Sequence, residues 1–538
     1  LIIYIMSGGI IQLVAVGQEN MFLTDDPQIT FFKLVYRRHT NFSIEQIPQK
    51  FTELNPDFGM RVSCPISKNG DLINNIGLVI ELPEIRQFNT SDGIDNITTF
   101  QWVRKIGYAI IKSVEIEING RTIDRHYGEW LSLLSDMFGP KDRGIDILTG
   151  NIPELYNPTN GKKAYKLYIP LQFWFCKSSG LALPLVCLEY SDIKINIHFN
   201  DLNNCHIINP TNYIFCDSTV LNSGLVNFIE GEYIEQTING TLHAGIFNYY
   251  DITTSKLYYT AITSSLFKGI TTTAVGIEQL REVFESSSNI QYLITGKTSG
   301  FTIMPGANQK SLTYQYNPLR NIKLNNAYLI VNYIFVDDDE RIKIAQAKHD
   351  YLIDQLYFTP NITLDGANRT VKIVADQPTE FMTWIVQMSY IYKSLDYYNY
   401  TDSYIRKISD SEYPDFKIGD VVGNSIILKQ SIDLNSTSRL SQRDADYFYN
   451  IQNYQYGNYS ITPKTNTYSF ALFPNSIQPS GTCNMSQMTK TEIVLNLSPL
   501  INTINPVIFR CYCNAKNILR IQNGLAALVF VSNGNNGQ

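Results

Sequence analysis

Charge is scarce in this chain. Asp, Glu, Lys and Arg make up 17% of 538 residues, and the net charge is -6. Proteins that coat nucleic acid take most of their nonspecific affinity from phosphate neutralisation by a basic surface or tail. No basic run is present, which argues against direct nucleic-acid binding. Long apolar runs are missing too. Residues 1–17 are apolar but lack the basic leading region of a signal peptide, and nothing else approaches the roughly 18 apolar residues of a membrane span, so a soluble protein is expected. Cysteine is sparse, with eight residues (Cys64, Cys176, Cys187, Cys205, Cys216, Cys483, Cys511, Cys513) that lack the density of a disulfide framework. They read as reduced core residues. Cys511 and Cys513 flank Tyr512 and point to one strand face, which suits packing; a zinc site needs paired ligand hairpins.

Signatures of catalysis are absent as well. The six histidines contain no pair at metal-binding helical spacing, and no G-x-S-x-G nucleophile elbow occurs. Gly296-Lys297-Thr298 follows an apolar run as a phosphate loop would, but the required first glycine falls at Gln291 and no long helix follows. A turn between strands is the better reading. Asp337-Asp338-Asp339-Glu340 lacks the ligand alternation and central glycine of a calcium loop and reads as a solvated acidic turn. The expectation is a protein that is not an enzyme, with no catalytic residue, no cofactor and no metal.

What the chain does contain is sheet-forming material. Hydrophobic residues reach 44%, Tyr and Phe number 35 and 27, and Asn, Gly and Pro punctuate them. Residues 112–118 alternate apolar and polar, Asn119-Gly120 supplies the positive φ angles of a tight hairpin turn, and residues 121–123 begin the return. Further strand patterns cover 192–199, 324–336, 381–390, 490–497 and 507–513. Helical patterns are few: 128–137 is the best, with 27–36 and 438–450 weaker. Single cores seldom exceed roughly 250–300 residues, so this length and pattern predict an all-β chain of two stacked β-sandwiches.

Specific motifs sharpen the reading. Pro27-Gln28-Ile29-Thr30-Phe31-Phe32-Lys33-Leu34-Val35-Tyr36-Arg37-Arg38-His39 stands near the start. Tyr468-Ser469-Phe470-Ala471-Leu472-Phe473-Pro474 and Pro479-Ser480-Gly481-Thr482-Cys483-Asn484 stand near the end. Between them come Asn69-Gly70-Asp71, Ile118-Asn119-Gly120-Arg121, Gly180-Leu181-Ala182-Leu183-Pro184, Glu340-Arg341, His349-Asp350-Tyr351 and Gly524-Leu525. This ordered series, spanning most of the chain, resembles the major capsid proteins of nucleocytoplasmic large DNA viruses.

The resemblance implies a double jelly roll, two tandem eight-stranded jelly rolls, with a β-rich insertion in the first. The expected division is an N-terminal arm over 1–26, a first jelly roll over 27–348 and a second over 349–538. The segment 201–323 departs from compact family spacing and carries its own strand patterns (225–234, 241–250, 288–294). It is expected to form a semi-independent lobe on the outer face. The resemblance further implies a homotrimer of pseudo-hexagonal outline that tiles an icosahedral shell, in a virion assembled in the host cytoplasm. Implied partners are neighbouring capsomers, minor capsid and penton proteins and, through the N-terminal side, the inner viral membrane. Arg37 and Arg38 are expected to make structural hydrogen bonds; His39, His126 and His349 to serve packing or subunit contacts. Residues 1–5 read as an upstream extension. Two other readings are a minor capsid paralogue of the same fold and a β-sandwich carbohydrate-binding protein or glycoside hydrolase, which would need two facing carboxylates in a cleft. Sequons at Asn89, Asn96, Asn239, Asn361, Asn399, Asn435 and Asn458 are numerous in so Asn-rich a chain.

Overall fold

The computed structural model describes residues 8–15, 17, 24–90, 93–94, 97–139, 144–216, 227–270, 292–314, 322–402, 423–456, 464–503 and 505–531. The extension at 1–5, the start of the strand pattern at 288–294, and the sequons at Asn96 and Asn458 lie outside them. The chain divides into a unit of residues Leu1–Phe42 and one of Ser43–Gln538. The first contains the helix Gly8–Val14 and, over 24–41, irregular backbone. The helix expected at 27–36 does not form. A helix this short draws its stability from an apolar face packed against something, and here Ile29, Phe31, Leu34 and Tyr36 are all exposed.

The second unit contains two sandwiches built to one plan. In the first, Phe42–Gln49, Asn326–Val336, Leu72–Leu82 and Tyr165–Pro170 lie side by side, opposed by Arg61–Pro65, Ile193–Phe199, Ile111–Ile118 and Arg121–His126. In the second, His349–Leu364, Val507–Gln522, Pro378–Met388 and Asn466–Ser469 are opposed by Asn368–Lys372, Thr491–Leu497, Ile427–Leu434 and Thr437–Asp444. Counting strands along the chain, both sandwiches read 1-8-3-6 over 2-7-4-5, the double-sheet order of a jelly roll. The inward side chains of each alternate with outward ones. Leu78, Ile80, Leu329 and Val331 enter the first core, and Met382, Trp384, Phe509 and Cys511 the second. Cys511 and Cys513 do share a face, their sulfurs 4.0 Å apart and buried.

Two further local expectations, one a helix and one a turn, are corrected. Residues 437–444 form a strand, because Asn435 and Ser436 both adopt positive φ (50° and 62°) and turn the chain back along Ile427–Leu434; helix begins only beyond it. The acidic turn at Asp337 is instead the start of the helix Asp338–Gln346, whose three first-turn carboxylates suit the positive end of the helix dipole.

The segment between the seventh and eighth strands of the first sandwich forms a seven-stranded sheet of its own, centred on Tyr233–Ile238, Thr241–Asp251 and Lys256–Ala261. One face holds a small core of Ile214, Ile234, Phe247, Leu257 and Tyr259. The alternate residues Tyr233, Ala244 and Ile246 join the core cluster of the second sandwich, with the Tyr233 ring 4.1 Å from that of Tyr390. The lobe therefore interrupts one sandwich and packs on the other.

Among the contacts that join the two sandwiches is the helix Gly128–Phe138, which leaves the fifth strand of the first and packs on the sheet of the second that carries Phe381 and Tyr512. Trp130 stacks between Phe381 and Tyr512, and Leu133, Leu134 and Met137 fill the same cluster. Within this apolar contact Glu129 meets Arg510. Nη2 donates to Oε1 at 2.8 Å and to Gln387 Oε1 at 2.7 Å, and Nε lies 2.7 Å from Oε2, an ion-pair contact off the hydrogen-bond line. Tyr512 and Tyr400 donate to the same carboxylate at 2.6 and 3.1 Å. Desolvation opposes the charge on Arg510, whose side chain is 4% exposed, yet Glu129 holds its pKa above the ordinary value. Removing one partner of such a pair leaves an uncompensated buried charge. Glu129→Ala is thus expected to destabilise by about 3–5 kcal/mol, read from the denaturant midpoint, whereas Glu129→Leu with Arg510→Met is expected to recover most of that loss.

Candidate assembly site

The sequence motifs fall into three places. In the N-terminal unit, Pro27, Gln28, Phe31, Phe32, Tyr36, Arg37 and Arg38 are all exposed, Phe32 at 98%. Local order comes from the Phe32 amide on Thr30 Oγ1 at 3.4 Å, and from His39, which contacts the Thr40 carbonyl at 2.8 Å and sits edge-on to Phe42. The run thus sets exposed apolar side chains beside two exposed guanidinium groups.

The second place is the end of the sandwiches where the even-numbered turns gather. Asn119 and Gly120 take φ of 54° and 76° as the hairpin requires, and no atom stands within 4 Å of a Cβ on Gly120. Asn119 also grips the lead-in to the seventh strand: Asp192 N donates to its Oδ1 at 3.0 Å and its Nδ2 donates to Ser191 Oγ at 3.0 Å. Ser191 in turn donates to the Gly524 carbonyl, so a turn of the first sandwich is tied to the last hairpin of the second. Asp71 accepts Val336 N at 2.9 Å and Arg341 Nε at 2.8 Å, pinning the connecting helix. The motifs at Asp71, Asn119, Arg341 and Gly524, far apart in sequence, are thus knitted at one end.

Asn435 repeats the Asn119 device in the second sandwich, accepting from Thr489 N, Thr489 Oγ1 and Lys490 N at 2.9–3.2 Å. The sequence masks this hairpin because Ser, not Gly, follows Asn435. Asn399, another sequon, is fully buried.

The third place is the loop after the sixth strand of the second sandwich. Ser480 Oγ accepts Phe473 N at 2.8 Å and the Ser480 carbonyl accepts Leu472 N at 3.3 Å, folding the two C-terminal motifs onto each other. Gly481 has φ 140° and a Cβ there would stand 2.8 Å from the Phe470 carbonyl oxygen, so the position needs glycine. Pro479 and Thr482 are exposed, while Asn484 pairs with Pro378 and caps Ser486 N at 3.1 Å. Leu472 and Phe473 project outward, two-thirds exposed. Lys177 of the first sandwich reaches Asn475 in this loop and Asp354, at 2.5 Å, in the second. Lys516 completes the cluster with Asp354 at 2.6 Å and Glu380 at 3.3 Å. Burial works to raise both carboxyls; the two lysines hold Asp354 below its ordinary value, while at Glu380 burial wins and its pKa is raised.

The remaining sequence candidates have structural employment. Gly296-Lys297-Thr298 is a turn between strands, and its amides do cradle an anion, the carboxylate of Glu232: Thr298 N and Ser299 N donate to Oε2 at 3.2 and 3.0 Å and Ser299 Oγ to Oε1 at 2.8 Å. His126 is buried, stacked on Phe173 and 2.9 Å from Asp124; His349 contacts the Ile344 carbonyl at 2.8 Å. Among the described residues no group of three His, Cys, Asp or Glu side chains is placed to hold a metal.

Comparison with known proteins agrees with this architecture. A family model described as major capsid protein N-terminus matches residues 30–237, and one described as large eukaryotic DNA virus major capsid protein matches residues 340–527. Probable capsid protein 4 of Acanthamoeba polyphaga mimivirus is 39% identical over 533 residues, covering 98% of this chain and all of that protein. The major capsid protein of Phaeocystis pouchetii virus is 27% identical, with 98% of this chain and 100% of that one covered. Among solved structures, the PBCV-1 virus capsid matches with a TM-score of 0.58 at 23% identity, over 94% of this chain and 100% of that one. The Faustovirus major capsid protein matches with 0.63 at 13% identity, over 94% of each. With both sandwiches in jelly-roll order, capsid family models matching 30–237 and 340–527, and 39% identity along 98% of the chain to a probable capsid protein, the chain belongs to the major capsid protein family of the large eukaryotic DNA viruses.

Proposed function

We propose that this structural capsid protein works as a homotrimeric capsomer of pseudo-hexagonal outline, tiling the facets of an icosahedral shell assembled in the host cytoplasm. The observation that carries this reading is the duplicated sandwich. Two units of one strand order, fixed rigidly by the Gly128–Phe138 helix, supply two near-equivalent sides per chain, so three chains offer six. A head-to-tail contact that closes forms a ring. In this reading the knitted end with Asn119, Arg341 and the Ser480 loop faces inward and the inserted sheet faces outward. The exposed Phe31, Phe32, Tyr36, Arg37 and Arg38 reach minor capsid and penton proteins or the inner membrane, and the shell acts without catalysis.

A second reading is a minor capsid protein of the same fold. It is favoured by the mimivirus relatives, which include proteins named capsid protein 1, probable capsid protein 3 and probable capsid protein 4. Abundance in purified virions separates the two.

The purified chain is expected to sediment as a trimer, with hexagonal projections in negative stain; a monomer at micromolar concentration would refute the proposal. Removing residues 1–38 is expected to leave that trimer intact while abolishing its incorporation into shells, measured by co-sedimentation with particles. Gly481→Ala is expected to lower the unfolding midpoint by an amount corresponding to about 1–3 kcal/mol, because the loop must shift to admit the methyl.

A further inference from the structure

Lys177 leaves the first sandwich and ends in the buried charge cluster of the second, against an amide. It follows the tight turn Trp174–Cys176, where Phe173, Trp174 and Phe175 are buried and fix the point at which the chain leaves the first core. Its Nζ donates to Asn475 Oδ1 and lies 2.5 Å from Asp354 Oδ2. An amine nitrogen, an amide carbonyl and a carboxylate thus meet at one point. Only 12% of the Lys177 side chain and 11% of that of Asp354 are exposed, so water competes little for either. Asn475 is held from its own side. It adopts φ 61° in a turn closed by Ser476 N on the Phe473 carbonyl at 3.3 Å, and the Phe470 and Ala471 amides tie the base of the loop to the Glu380 carbonyl at 2.8 and 3.2 Å.

The cluster also sorts its protons. Desolvation opposes the charge on Lys516, yet Asp354 and Glu380 hold its pKa above the ordinary value. Lys516 therefore stays an ammonium and occupies Asp354 Oδ1 at 2.6 Å. Two ammonium groups on one buried carboxylate repel each other, and Lys177 is the one with an amide beside it. Desolvation next to a second cation is a route by which proteins make lysine nucleophilic. Asp354, held ionised by both lysines, is a proton acceptor and no electrophile; the amide carbonyl of Asn475 is the electrophile.

We propose that Lys177 and Asn475 become joined by an isopeptide bond, a covalent tie between the first sandwich and the C-terminal loop of the second, with Asp354 as the acid–base group. Lys177 passes one proton to Asp354, and the freed amine pair forms a bond to Asn475 Cγ. The Cγ–Nδ2 bond then breaks. Nδ2 takes a second proton from the Lys177 nitrogen and the one held by Asp354, and leaves as ammonium. Asp354 ends as it began, a carboxylate paired with Lys516, and no oxidant or reductant is needed. Both reactants are positioned within one chain before the step begins, which removes its main entropic barrier. The tie spans 298 positions, and a cross-link constrains the unfolded chain more as the loop it closes lengthens.

The test uses the purified full chain, unfolded for intact-mass measurement. Its mass is expected to fall below that of its amino-acid sequence by one ammonia, and proteolysis is expected to release a branched peptide joining Lys177 to Asn475. Lys177→Arg and Asn475→Asp are each expected to show the full mass of their own sequences. Asp354→Asn keeps both reactants but not the proton carrier, and is expected to slow the mass loss about a hundredfold, followed with time after synthesis; an unchanged rate removes Asp354 from the step. A folded wild-type chain that keeps its full mass on ageing overturns the bond, and so does loss of ammonia without the branched peptide, as succinimide formation at Asn475 would give. Neither outcome depends on any variant folding.

Discussion

The rest of the molecule depends on holding two sandwiches in one arrangement, and one buried contact between them combines area with charge. The helix after the fifth strand places Trp130 between aromatic rings and Glu129 against Arg510. The aromatic stack supplies area, and the ion pair supplies register, because a guanidinium held by Glu129 and Gln387 tolerates little sliding. A buried ion pair contributes little net stability compared with an apolar pair, and its best-attested use is to specify one arrangement. That suits a structural capsid protein built from two sandwiches that must keep one relative arrangement.

Much of the architecture was legible before any coordinates, for reasons that differ by element. The Asn119-Gly120 hairpin and the strand at 507–513 declare themselves locally, through turn chemistry and alternation. The N-terminal and C-terminal motifs declared a family, and through it the jelly-roll order, which composition could not supply. What was illegible was relational. Nothing near Glu129 marks it as the partner of a residue almost four hundred positions away, nor Lys177 as the link to Asp354. Likewise Tyr233, Ala244 and Ile246 read as ordinary strand alternation; that both faces of their sheet are covered, one by the second sandwich, is a tertiary fact. The arm at 24–41 erred in the other direction: its helical periodicity is real, but no packed face rewards it within the described residues.

Local chemistry recurs where the two halves face the same geometric demand. Asn119 and Asn435 each sit at the first position of a tight hairpin and each clasp the chain entering the seventh strand. The family glycine follows only the first, so the second shows that the side-chain clasp, more than the glycine, is what the sandwich needs at this corner. The Glu232 carboxylate held by three donors from the turn beside Lys297 makes a related point. A backbone shape associated with phosphate is here filled by the chain's own anion.

The placement of the inserted sheet also sets a schedule for synthesis. Its face bearing Tyr233, Ala244 and Ile246 leaves the ribosome well before the strands around Trp384 and Phe509 that will cover it. At about 5–20 residues per second that delay is of the order of tens of seconds. The first sandwich meanwhile waits for Asn326–Val336 to complete its sheet. A nascent chain of this protein therefore carries half-finished apolar surface until its second sandwich closes over it.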